Sequence, residues 1–279
     1  MKTKDIQKKH EEDLERLRNF RLLDDDFMSK VFEDTSCAQF LLQIILQRRD
    51  LKVCHVHVQH EVNNLQGRSI TLDIFAVDSL ENIYNIEVQR SDKGASRKRA
   101  RYNSSLLDAN ITDPGDDYEN LNDTYVIFIT ENDVLKEGLP IYHIHRSIEE
   151  TRKNFYDGSH IIYVNSQIQA ETELGKLMHD FWCTDAEDMH YEILAERVRY
   201  FKKEEEGVRT MCKAMEDMRN EALEEGKIEG KTEERRKNIR EMLRDHVSIE
   251  KIQQYTGATK DEIKQEGVCQ VKCVNFYDF

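Results

Sequence analysis

No stretch of eighteen consecutive apolar residues occurs in this 279-residue chain, so no membrane-spanning helix is expected. The six cysteines form no Cys-x-x-Cys pair. That fits reduced thiols in a cytoplasm better than a disulfide framework. The opening MKTKDIQKKHEED is too charged for a secretory signal. Apolar residues are scarce, at 38%, and charged ones abundant, at 34%. A sizeable core therefore fits the middle of the chain but not its full length. Excess positive charge is missing too. A net charge of −14 argues against broad coating of nucleic acid and for a focused basic site.

What is present is a hairpin pattern in residues 70–89, ITLDIFAVDSLENIYNIEVQ. Side chains alternate between faces along a strand. Leu72, Ile74 and Ala76 then share an apolar face, as do Tyr84, Ile86 and Val88. The opposite face carries Thr71, Asp73, Asn85, Glu87 and Gln89. A turn centred on Leu80 sets Asp73 across from Glu87 and Thr71 across from Gln89. Opposed like charges destabilise a hairpin, and a divalent cation held by hard oxygen ligands would relieve them. Carboxylates are also ordinary on the wet face of an antiparallel sheet. A mid-strand Asp flanked by β-formers is less ordinary.

Directly downstream, RSDKGASRKRARY places six cations against one acid between Arg90 and Arg101. Such clusters bind phosphate, or they form a solvated helix start that balances acidic neighbours. Arg97, Arg101 and Ser104 or Ser105 fall near helical spacing. Upstream, VCHVHVQHEV reads as a first strand, with His55, His57, Gln59 and Glu61 on one face. The His-x-His pairs at His55/His57 and His143/His145 read as polar-face residues rather than metal ligands.

An Asp and a Glu-x-Gln triplet on adjacent strands, followed by a basic helix, resemble the PD-(D/E)XK nuclease core. NIEVQ, RxRYNSSLL, Tyr118-Glu-Asn-Leu and Val126-Ile-Phe-Ile resemble one branch of it, the Rpn family of recombination-promoting nucleases, also described as PD-(D/E)XK nuclease family transposases. DDDFMSKVFED, EEGKIEGKTEE and SIEKIQQYTGATKDEI are similar to that family's N- and C-terminal regions, so the likeness spans about residues 20 to 265. It implies an α/β fold, a restriction-endonuclease-like core of mixed central sheet flanked by helices, with a helical C-terminal extension. It also implies a magnesium-dependent (or manganese-dependent) DNA endonuclease associated with recombination or mobile elements. Asp73 and Glu87 would hold metal, Glu61 is a candidate third carboxylate, and Gln89 would position water. Arg97, Arg99 and Arg101 would clamp DNA phosphate. Two departures stand out: Gln89 replaces the usual Lys, and Leu72 replaces the Pro before Asp73. A neutral amide supplies less charge stabilisation than an ammonium. The competing reading is a catalytically silent DNA-binding or oligomerising protein that keeps the fold; a nuclease acting on RNA is a third.

The expected organisation is a charged leader over residues 1–20 and a core over 21–185. A charged helical extension over 186–247, a small helix-turn-helix-like module over 248–265 and a tail over 266–279 follow. The pattern predicts a helix over Phe40 to Gln47, another from about Lys93 to Asp108, a turn at Asp113-Pro-Gly-Asp-Asp and a buried strand from Thr124 to Thr130. Short strands are expected at Pro140 to His145 and His160 to Asn165, with helices resuming from Glu171. Ala222, Gly226 and Gly230 form a small-residue stripe, read either as a helical hairpin or homo-oligomer contact, or as a flexible, glycine-weakened charged helix. Thr259-x-x-Glu262 reads as a capping box.

Overall fold

The computed structural model describes residues 2–64, 67–90, 94–112, 114–115 and 117–266, with the side chains of residues 2–7, 225 and 229 left aside. Lys93, Asp113, Asp116 and the expected tail beyond residue 266 lie outside the described residues. Three helices come first: α1 (Lys2–Asn19), α2 (Asp25–Phe32) and α3 (Thr35–Leu46). Strands β1 (Val53–Val62), β2 (Ile70–Asp78) and β3 (Ile83–Gln89) follow, then α4 (Arg97–Ile111). After a 3₁₀ turn come β4 (Thr124–Thr130), β5 (Ile141–Ile144) and β6 (Ser159–Asn165). Helices α5 (Glu173–Trp182), α6 (Glu192–Lys203), α7 (Glu205–Arg244) and α8 (Ile249–Thr256) complete the named elements. Among the described residues, no helix is long and apolar enough to cross a membrane.

The strands form one mixed sheet in the order β1-β2-β3-β4-β6-β5. β1, β2 and β3 run as an antiparallel meander, and β3, β4 and β6 are parallel. The α4 segment is the crossover between β3 and β4 that a parallel pair requires. The β2–β3 register pairs Ile74 with Ile86 and Ala76 with Tyr84, as the turn at Leu80 predicts. Asp78 builds that turn: its carboxylate accepts from Leu80 N and Asn82 N, each at 2.9 Å, and from Tyr84 Oη at 2.8 Å.

Two expectations about the strands need correction. The polar face of the hairpin is covered at Asn85 and Glu87 and open only toward Thr71. α4 packs over it with Ala100, Leu106 and Leu107, and Phe75, Val77, Val126, Phe128 and Tyr163 join that cluster. Asn85 and Glu87 are consequently fully buried. The alternation also slips at Gln59, whose φ of 51° lies in the left-handed region that non-glycine residues rarely adopt. Gln59 turns to Ser29 of α2, and His60 joins His57 beside Phe75. Directly opposite His60, Leu72 packs in the cluster under α4 rather than with Ile74 and Ala76.

The helix boundaries follow their caps. Ser96 Oγ accepts from Arg99 N, so α4 begins at Arg97 rather than near Lys93. Asp34 caps α3 through Ser36 N and Cys37 N, and Thr172 caps α5. The chain divides into two compact units after Met215. The first unit thus continues past residue 185, through α6 and the start of α7. α6 packs against α2 and α3.

Gly207 makes the α6–α7 junction tight. A Cβ there would sit 2.1 Å from Tyr200 O and 2.9 Å from Phe201 Cα. Backbone on both sides cannot yield cheaply, so Gly207→Ala is expected to destabilise the protein by about 1–3 kcal/mol. Urea unfolding followed by circular dichroism measures it.

In the second unit, Ile239, Ile252, Ala258 and Ile263 form a small core. The capping box is present: Thr259 N donates to Glu262 Oε2 at 2.7 Å, and Glu262 N donates to Thr259 Oγ1 at 3.3 Å. The space beside Gly226 and Gly230 is open.

Candidate active site

The β2–β3 ladder ends at Ile74 and Ile86, just before Asp73 and Glu87. Where the backbone pairing stops, the Asp73 carboxylate takes over and accepts from Val88 N at 3.0 Å. This fixes the side chain at the mouth of the splayed strands. Glu87, with no exposed surface, lies under α4. Its Oε2 accepts from Arg99 Nη2 at 2.6 Å, and its Oε1 accepts a longer bond from Asn103 Nδ2 at 3.4 Å. Arg99 Nη1 also reaches Gln89 Oε1 at 3.4 Å and Gly94 O at 2.9 Å. One guanidinium therefore bridges Glu87 and Gln89, two residues apart on the returning strand.

The electrostatics are those of a crowded acidic site. Asp73 is pushed up to about 8, first by burial, then by Glu87 and Asp25, against the Val88 N–H and Arg99. Glu87 is also raised, by burial above all, with Arg99 opposing. Both shifts are led by burial, which disfavours the charged form, and at Asp73 the charges of Glu87 and Asp25 add to it.

Asp25, at the start of α2, is the third acid. The residue is exposed, yet partial desolvation raises its carboxyl, as do Asp26 and Asp24, with Arg90 and Arg99 opposing. Its charge acts on Asp73 and Glu87 alike. Neighbouring ion pairs hold α2 in place: Arg90 bridges Asp24 at 2.7 Å and Glu131 at 3.1 Å, and Arg21 reaches Glu131 at 3.3 Å. Sequence reasoning missed Asp25 as a site residue. Its only signal is the DDD run, and acids at a helix start are common for capping reasons alone. Glu61, the expected third carboxylate, is exposed near the end of β1 opposite Thr71. The slip at Gln59 puts it on the opposite face from His60, and it makes no ion pair with a described residue.

The basic cluster also divides. Arg99 lies within the site, and Arg90 is committed to Asp24 and Glu131. Arg97, Lys98 and Arg101 lie further out on α4, with Arg97 and Arg101 exposed. Ser105 is exposed beside them, but Ser104 is buried and bonds Ser159 Oγ at 2.9 Å.

Asp73 and Glu87 offer carboxylate oxygens, the donors that a hard divalent cation takes, while Asp25 does not join them in a group with ligand atoms all within 4.8 Å of one another. Asn103 Oδ1 is buried without a partner, and Asn85, which has none within strict hydrogen-bond geometry, still favours the charged form of Glu87. Buried polar atoms seldom stay unpaired unless an ion or water serves them.

The family described as PD-(D/E)XK nuclease family transposase matches residues 33–245. The chain belongs to it. The mixed sheet flanked by helices agrees with the α/β nuclease-like fold of this family. The match begins downstream of Asp25, so that residue rests on the structure alone. No curated protein and no solved structure matches the chain.

Proposed function

We propose that this family member is a magnesium- or manganese-dependent DNA endonuclease acting in recombination or transposition. The observation that carries the reading is the placement of Asp73 and Glu87, both with raised pKa values, at the end of a broken ladder beside Arg99. Asp73 and Glu87 would hold the cation, which when bound lowers the pKa of water and offsets charge on the phosphodiester, and Asp25 adds negative charge nearby. Gln89 would orient the attacking water through its amide. Arg99 would stabilise the charge that develops on phosphate, the task a Lys at position 89 would otherwise share. Asn103 would hold Glu87 in its rotamer. Arg97 and Arg101 would contact the DNA backbone on either side of the scissile bond.

The test is nicking of supercoiled plasmid with magnesium, beside Asp73→Ala and Glu87→Ala. Nicking lost in both supports the reading. Nicking that survives both removes this site from the reaction. DNA binding without nicking in the wild type favours the silent alternative, for which the direct Arg99–Glu87 pair is the relevant observation.

Arg97→Ala with Arg101→Ala is expected to weaken DNA binding about equally across sequences. The slope of log K against log salt should fall by about 2, because each arginine neutralises one phosphate. Fluorescence anisotropy at several salt concentrations measures it. Because both residues are exposed, thermal stability should hardly change.

A further inference from the structure

Away from the carboxylate pair, the end of α5 and the start of α6 gather a second set of ligand-type side chains. His179 and Cys183 stand one helical turn apart, Asp180 lies between them in sequence, and the His190 ring centroid is 4.6 Å from that of His179. His179 Nδ1 lies 3.5 Å from Cys183 Sγ and 3.4 Å from Asp180 Oδ1. One donor atom from each of the three residues lies within 4.8 Å of the others.

Read as a hydrogen bond, the His179–Asp180 contact is long, since an N–H···O bond is usually about 2.9–3.0 Å, and a single Nδ1 cannot donate to the carboxylate and accept from the thiol at once. Read as edges of a tetrahedron, the two contacts fit. Zinc bonds of about 2.0–2.1 Å to nitrogen, 2.3 Å to sulfur and 2.1 Å to oxygen imply N···S and N···O separations of about 3.6 and 3.4 Å.

The surroundings are built in the same sense. Asp180 has no exposed surface. Its two oxygens accept from His190 N at 2.7 Å and Tyr191 N at 2.9 Å, which fixes the carboxylate. Outer hydrogen bonds of this kind orient metal ligands. Cys183 is half-buried, and its Sγ also lies 3.5 Å from His179 O and 3.7 Å from Asp188 O.

We propose that His179, Asp180 and Cys183 bind a zinc-type transition metal at the C-terminal end of α5. A thiolate and an imidazole select such a metal over magnesium, so this site is chemically separate from Asp73 and Glu87.

Cobalt(II) titrated into the full chain tests it. The expected result is one thiolate-ligated cobalt per chain, seen as a sulfur-to-metal charge-transfer band that zinc abolishes by displacement. Cys183→Ser should lose the band while keeping the wild-type circular dichroism. His179→Ala should weaken cobalt binding at least about tenfold. Asp73→Ala should leave the band intact, because that site offers no sulfur. Absence of the band in the wild type overturns the proposal. So does a band that persists in Cys183→Ser, or unchanged affinity in His179→Ala.

Discussion

Replacing Asp73 with asparagine is expected to abolish nicking and at the same time raise the stability of the metal-free protein at pH 8. On the proposed function, the loss of activity follows from removing a cation ligand. Several kcal/mol of transition-state stabilisation disappear, at least about a thousandfold in rate. The stability gain follows from linkage. Asp73 titrates at about 8 in the fold against 3.8 as the ordinary value. Below 3.8 it is protonated in both states and carries no penalty. As pH rises from there to about 8, the folded state holds a proton that the unfolded state has released, and stability is lost across that window. Asparagine cannot ionise, and its Oδ1 can still accept the Val88 N–H. The variant should therefore match the wild type near pH 4 and exceed it by about 2–4 kcal/mol at pH 8. Denaturant unfolding at the two pH values, in chelator, measures the difference. Equal stabilities at pH 8 would mean that burial, Glu87 and Asp25 do not hold Asp73 protonated in the fold.

Arg99→Met should be the second large effect. Arg99 is the cation that touches both Glu87 and Gln89. Removing a charged donor aimed at developing charge costs about 10²–10³ in rate. Glu87, already raised by burial, loses its main opposing charge and rises further. The stability deficit should therefore be small at pH 4, where Glu87 is largely protonated in both states, and should widen as pH increases. The informative variant is the double one. Gln89→Lys alone sets an ammonium against Arg99 and should lower activity. Combined with Arg99→Met it restores one cation at the same place, so part of the lost rate should return. A plasmid-nicking comparison of the two singles and the double decides it. Additive losses would show that Arg99 acts elsewhere.

The hairpin was legible because three local signals agreed there: alternation, an Asp-bearing turn and a register that pairs Ile74 with Ile86. The buried strand Thr124–Thr130 was legible for a related reason, since its uniform apolar run has one comfortable place in a sheet. What sequence could not supply was tertiary. Glu87 and Asn85 read as solvent-facing because nothing local shows that α4 folds back over them. Arg99 was one of six cations, and its helical phase became definite only with Ser96 as cap. Asp25 lies far from the hairpin in sequence, within a run of acids that any helix start can carry. Glu61 was misplaced by a single residue: one left-handed φ at Gln59 exchanges the faces of His60, Glu61 and Val62, and no residue-type pattern announces it.

That same kink has a consequence for the molecule's outer rim. β1 and β5 are the two edge strands of the sheet, and open edges invite pairing with another chain. β5 is only four residues long, too short to template much. β1 has ten and would be the exposed flank, but the turn of its backbone at Gln59 breaks the straight row of free donors and acceptors partway along. Neither rim then offers a long flat template for aggregation, so the outermost strand of the meander that carries Asp73 and Glu87 also helps keep copies of the chain apart.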